Sequence, residues 1–188
     1  MTGQIPDKVY YEAREYSLIG AGGGPLFDPT EYGIEPCKPH TACYRGYIAT
    51  YSLDDDGRFT LEELRVWTEK ILWRIGSDEA EGGLPPINGV RPFLCGEYSY
   101  LRLRIPFTGV IRLAKDFSEE CYVHQGFQKA SAYETVLDVK LKKGRLVEVK
   151  DRSKEAARRR GEFRKRYMED GDVVKAVDEA FDLDLDLW

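Results

Sequence analysis

The sequence predicts a single α+β domain built around a curved, mainly antiparallel β-sheet, with a C-terminal helical extension. Three observations carry this expectation. Short runs rich in Tyr, Val, Ile and Thr recur from Val9 to Val149, clusters of Gly, Pro, Asn and Asp separate them, and the pattern switches to strong helix formers after Ser153. At 188 residues the chain is long enough to bury a real core. Its organisation reads as a β-rich core over residues 1–153 and a helical, acidic extension over residues 154–188, packed on the core or projecting from it.

Each element follows from local chemistry. Val9-Tyr10-Tyr11 and Glu15 to Ile19 flank the polar Glu12-Ala13-Arg14 and read as a hairpin. Gly20 to Pro25, Phe27-Asp28-Pro29 and Tyr32 to Pro36 place turn chemistry every few positions, so residues 20–40 read as a long surface excursion. It is not a phosphate loop, because the helical run that should follow one is absent. Ala42 to Leu53 alternates Tyr47, Ala49 and Tyr51 with Ile48, Thr50 and Ser52, the pattern of a central strand buried on both faces. Asp54 to Gly57 then turns the chain into Arg58-Phe59-Thr60-Leu61 as a second hairpin.

From Leu61 to Ile75 strand and helix both fit, since Leu61, Leu64, Trp67 and Ile71 also approximate a helical stripe. Gly82-Gly83, Pro85-Pro86 and Asn88-Gly89 mark a second loop over residues 76–97. Tyr98 to Ile105 reads as a strand with Arg102 and Arg104 on its wet face, and Thr108 to Leu113 as another. Val136 to Leu141 and Arg145 to Val149, joined by Lys142-Lys143-Gly144, form the clearest hairpin. Ser153 is the expected cap of a helix from Lys154 to Met168. Val173 to Phe181 gives a second apolar stripe, and residues 182–188 alternate Asp with Leu as an edge strand or a tail.

Charge and hydropathy narrow the function classes. The 28 Lys and Arg against 33 Asp and Glu leave a formal net charge of -5, which disfavours a nucleic-acid partner. The basic run from Lys140 to Arg166 reads as a solvated helix face, open to pairing with the acidic residues after Tyr167 or with an acidic protein partner. No long apolar run suits a membrane span or signal peptide, so a cytoplasmic protein is expected. The four cysteines, at positions 37, 43, 95 and 121, read as reduced thiols in a chain whose core needs no staples.

Several constellations bear on chemistry. Cys37-x-x-His40-x-x-Cys43, with Cys121-x-x-His124 from a distant segment, offers the thiolate and imidazole donors of tetrahedral zinc. Pro36 and Pro39 constrain the first segment and no paired Cys-x-x-Cys knuckles exist, so no cofactor is expected, with zinc as the exception to test. Ser52 to Glu63 has the turn glycine and final carboxylate of a calcium loop, but Ser52 replaces its acidic start and an acidic hairpin turn fits better. His124 could act as a base with Cys43, Cys95, Ser99 or a carboxylate, which makes a small hydrolase-like enzyme or metal-binding protein the alternative reading. The leading expectation is a non-catalytic binding or protein-interaction role, toward a protein partner or a second copy. Its candidate surface is Tyr44, Arg45, Tyr122, His124 and Phe127: aromatic rings supply rigid contact area, while Arg and His supply directional polar contacts.

Thr41 to Tyr51, Gly109 to Phe117, Tyr122-Val123-His124-Gln125-Gly126-Phe127 and Asp151-Arg152-Ser153, in that order, resemble a family of small uncharacterised bacterial cytoplasmic proteins. The resemblance spans Val9 to Ser153 and implies a bacterial, cytoplasmic setting. It implies no activity, and the extension after Ser153 is where this chain departs from it.

Overall fold

In the computed structural model, which describes residues 2–74, 83–93, 96–122, 124 and 126–160, the first hairpin forms as its alternation dictates. Strand β1 (Asp7–Tyr11) pairs antiparallel with β2 (Arg14–Gly22). Its two turn residues, Glu12 and Ala13, take φ of 49° and 56°, the left-handed values that a tight hairpin connection needs. The second strand outruns its expected end at Ile19. Gly20, Ala21 and Gly22 pair with Arg112, Ile111 and Val110, so part of the glycine-rich run is sheet rather than loop. Small residues let the backbones meet there, and a Cβ on Gly109 would lie 2.0 Å from the Gly22 carbonyl oxygen.

After a long excursion that includes a 3-10 turn at Pro29–Tyr32, the chain returns as β3 (Tyr47–Leu53) on the far side of β1. β3 and β4 (Phe59–Val66) make the expected hairpin. Within its turn, the Asp54 carboxylate accepts the Arg58 backbone N–H at 2.7 Å. The ambiguous segment from Leu61 divides in two: strand as far as Val66, then the short helix α1 (Glu69–Arg74), whose start is capped at Thr68. The expected strand from Tyr98 to Ile105 is broken. Tyr100 and Arg102 adopt φ of 60° and 46°, leaving β5 (Glu97–Tyr98) and β6 (Leu103–Arg104), which both pair with β4. β7 (Gly109–Phe117), β8 (Tyr133–Lys142) and β9 (Arg145–Asp151) complete a meander, with 3-10 turns at Glu119–Cys121 and Ala130–Ala132 between β7 and β8.

The strand order is β5-β4-β3-β1-β2-β7-β8-β9, with β6 also on β4, in one nine-stranded sheet. This corrects the curved, mainly antiparallel sheet expected from sequence. The sheet is mixed, because β1 and β3 run parallel, and among the described residues its strand order is an open path, although an isolated antiparallel bridge links Arg58, before β4, to Arg145 of β9. The cause is the connection between β2 and β3. Two-residue turns enforce antiparallel neighbours, whereas a connection of a dozen or more residues permits a crossover, and the Gly- and Pro-rich excursion carries the chain past β1.

Among the described residues, two apolar clusters hold the sheet. The larger draws on nearly every strand, from Val9 and Tyr16 through Tyr51, Phe59 and Leu64 to Val139 and Leu141. The smaller gathers Ile19, Ala114, Cys121, Ala130, Ala132, Tyr133 and Val136 around Ala156. Ala156 belongs to a helix over residues 153–160, so the start of the extension is packed on the core. Ser153 does not cap this helix: its hydroxyl accepts the Val136 N–H, while the Asp151 carboxylate accepts the Ser153 N–H at 2.8 Å. The basic helix face answers groups of its own chain. Arg160 donates to the carbonyls of Ser131 and Tyr133 and pairs with Glu134. The helix beyond residue 160, the Val173 to Phe181 stripe and the alternating tail lie outside the described residues. Among the described residues, no helix is long and apolar enough to cross a membrane.

Buried tyrosines give the fold an alkaline limit. Burial raises the phenols of Tyr47, Tyr51 and Tyr133 above the ordinary value and pushes Tyr98 up to about 12. A phenol that ionises at about pH 10 when unfolded but higher when folded contributes stability that is present below pH 10 and lost as the pH rises through its folded value. In an alkaline titration followed at 295 nm, these four tyrosines are expected to ionise only together with loss of the circular dichroism signal. Ionisation of all tyrosines at the ordinary value in a folded chain would contradict this.

Candidate functional site

The site grows from residues 2–5, a segment that the alternating pattern does not include. Gln4 is buried, and it fastens two loops far apart in sequence. Its backbone N–H donates to the Gly126 carbonyl at 2.7 Å, its side-chain amide donates to the Thr41 carbonyl at 2.8 Å, and its side-chain oxygen accepts the Tyr44 N–H at 2.9 Å. Gly3 bridges to Gly126, and a Cβ on Gly3 would stand 3.0 Å from the Tyr122 hydroxyl. The loop carrying Tyr44 and Arg45 and the loop carrying Tyr122 to Phe127 therefore lie on either side of one short strand-like segment.

Asp7, the first residue of β1, is 4% exposed and supports Arg45 from below. The guanidinium donates through Nη1 and Nη2 to the two carboxylate oxygens, each at 2.8 Å, and the Ala49 N–H donates to the same carboxylate at 2.8 Å. Burial by itself would lower the Arg45 guanidinium, but the adjacent Asp7 charge outweighs that and holds it above its ordinary value. Arg45 also lies over two rings, with its guanidinium carbon 4.9 Å from the Tyr47 centroid and 5.7 Å from that of Phe127.

Each of the two loops also carries an exposed tyrosine. Tyr44 is 47% exposed, with the Lys38 amine 4.0 Å above its ring. On the other loop, Tyr122 is 43% exposed and meets His124 edge-on at 4.7 Å and Phe117 at 6.2 Å. The five residues singled out from sequence thus sit on two loops joined through Gly3 and Gln4, with the Arg45 guanidinium near the Phe127 ring and the Tyr122 ring beside His124. Asp7 was missed, although a signal existed: it is in phase with Val9 and Tyr11, and an acid on the inward face of a strand calls for a buried partner.

The suggested zinc donors are distributed among different tasks. Cys37 donates its backbone N–H to the Trp67 carbonyl, and burial, followed by the charge of Glu69, raises its thiol. Cys43 is buried with its Sγ 3.5 Å from the Tyr47 carbonyl, and burial raises that thiol as well. His40 accepts the Ala42 N–H on Nδ1 and sets its ring edge-on to Trp67. Cys121 sits in the smaller core cluster, and His124 stands against Tyr122. Among the described residues, no three His, Cys, Asp or Glu side chains are grouped to hold a metal ion. Cys95 lies outside the described residues, and Ser99 is exposed beside β5.

Beneath Arg45 lies a cavity of about 270 Å³, which no single sequence segment announces. Its charged lining is Asp7 and Arg45, and its walls include Phe27, Tyr47, Tyr51 and Leu18. Comparison of the chain with protein-family models, with curated proteins and with solved structures found no match.

Proposed function

We propose that this chain acts by binding a partner protein through the strip formed by Tyr44, Arg45, Phe127, Tyr122 and His124, without catalysing a reaction on it. The observation that carries this reading is half-exposed aromatic rings mounted on a hydrogen-bonded frame of buried Gln4 and Asp7 with partly buried Arg45. Rigid rings lose little freedom on binding, and such residues dominate interface energetics. The Tyr122 to His124 contact gives the strip a polar end, and Lys38 over Tyr44 gives it a charged rim. A bacterial cytoplasmic setting belongs to the same reading, supported by the resemblance of Thr41 to Tyr51 and Tyr122 to Phe127.

The test is association measured on point variants. Tyr44→Ala and Tyr122→Ala are each expected to weaken a stoichiometric complex by about 2 kcal/mol, roughly thirtyfold. Circular dichroism and melting should stay close to wild type, because both side chains are already half exposed. Tyr100→Ala, at an 80% exposed ring beside β5, serves as the control and should leave the complex intact. Native mass spectrometry of the untagged chain, comparing these variants, reads both results. A complex that survives the Tyr44/Tyr122 double change would sink the assignment.

A further inference from the structure

The cavity under Arg45 adds a function beyond the protein-binding strip. We propose that it is a binding site for a small neutral aromatic carboxamide or an equivalent single-ring carbonyl compound. At about 270 Å³ the cavity falls just below the size of pockets for drug-sized ligands, which begin near ~300 Å³. One ring with a short polar substituent is the scale that fits.

The walls suit a planar apolar body. Phe27 is stacked on Tyr32 at 5.4 Å between centroids and meets Tyr47 edge-on at 6.5 Å. The Tyr47 hydroxyl donates to the Phe27 carbonyl at 3.1 Å, which fixes the outer wall to β3. Tyr51 closes the inner side, stacked on Phe59 at 5.0 Å. The walls are held before any ligand arrives, so binding need not order them.

The polar end selects the substituent. Both Asp7 oxygens are already engaged by Arg45, and one of them also by the Ala49 N–H. Asp7 takes two of the guanidinium N–H donors and the Tyr47 hydroxyl is hydrogen-bonded to the guanidinium as well, which leaves about two on a five-donor group. What the cavity offers an incoming molecule is therefore a donor, and the complementary group is an oxygen acceptor. Its charge is decided by Asp7. The guanidinium is already balanced, so a second carboxylate would meet the first across a shared cation, whereas a carbonyl oxygen meets no such repulsion.

The experiment titrates the full chain with benzamide and, separately, with benzoate, observed by amide chemical shifts. Saturable benzamide binding is expected, with shifts centred on Ala21, Phe27 and Tyr47, and benzoate should bind about tenfold more weakly. Ala21→Leu fills the cavity from β2 while leaving residues Arg45 and Asp7 in place, and should abolish benzamide binding while the chain remains folded. Leu26→Trp fills it from the loop after β2 and gives the same reading if Ala21→Leu fails to fold. Absence of saturation with benzamide, shifts confined to other surfaces, binding that persists in the filled variants, or benzoate binding as tightly as benzamide would each overturn the proposal. The strip variants Tyr44→Ala and Tyr122→Ala leave the cavity intact, so this test and the association test fail independently.

Discussion

Asp7→Ala is expected to destabilise the chain by about 3–5 kcal/mol, the usual effect of removing one partner from a buried ion pair. The loss has two sources. The change leaves the Arg45 guanidinium, only 26% exposed, without its counter-charge, and it leaves the Ala49 N–H without the oxygen it donates to at 2.8 Å. At this chain length the shift in Tm should be roughly 10 °C. Urea denaturation of Asp7→Ala against wild type measures the effect. The double variant Asp7→Leu/Arg45→Met should recover most of the loss, since much of the penalty lies in the stranded charge rather than in the absent bond. A loss below about 1 kcal/mol in the single variant would mean that water reaches the pair and behaves as it does at a surface salt bridge. Because Asp7 anchors Arg45, the same variant should weaken partner association even below its melting temperature.

A second large effect is expected on the other half of the sheet. Asp138→Ala should cost about 3 kcal/mol, because it takes the carboxylate away from Arg112, which is 4% exposed at the middle of β7. Arg112 and Asp138 are direct cross-strand neighbours, joined at 2.7 and 3.0 Å through Nε and Nη2. The Arg152 Nε lies 3.7 Å from the same carboxylate, so the change also loosens the entry to the helix over residues 153–160. Lys150→Ala supplies the contrast. Its pair with Glu148 sits on exposed β9 at 60% and 46% exposure, and losing it should move stability by less than about 0.5 kcal/mol. Equal effects from Asp138→Ala and Lys150→Ala would show that burial does not set the strength of these pairs.

Local elements were legible wherever a turn and its flanking alternation agree. The β1–β2, β3–β4 and β8–β9 hairpins all form around the turns that their residues announce. The interior placement of β3 also follows from its two apolar faces, since β1 and β4 cover its edges. Reading failed where long-range pairing overrode local chemistry. Gly20 to Gly22 have turn composition, but β7 offers them a ladder, and glycine accepts the close approach. Tyr98 to Ile105 has strand composition, but the left-handed residues Tyr100 and Arg102 break it into two short pieces on β4. Ser153 has a capping side chain, yet the Val136 N–H claims its hydroxyl and Asp151 takes over at the helix start.

The candidate site divides along the same line. Its residue types are visible in the sequence: Tyr44, Arg45, Tyr122, His124 and Phe127 combine aromatic area with polar direction. Their meeting was not visible, because it depends on Gln4 and Gly3 threading between two loops about eighty residues apart. By itself the sequence determined an α+β composition, its principal hairpins and a net charge of -5, since turn preference, alternation and charge act over a few residues. Only the tertiary structure decided that β1 and β3 run parallel in an open, mixed sheet, that Asp7 is the partner of Arg45, and that a cavity lies beneath that pair. Each of these is a contact between distant segments, chosen by the burial of apolar surface and the need to pair every buried charge, and neither requirement leaves a fixed spacing in the chain.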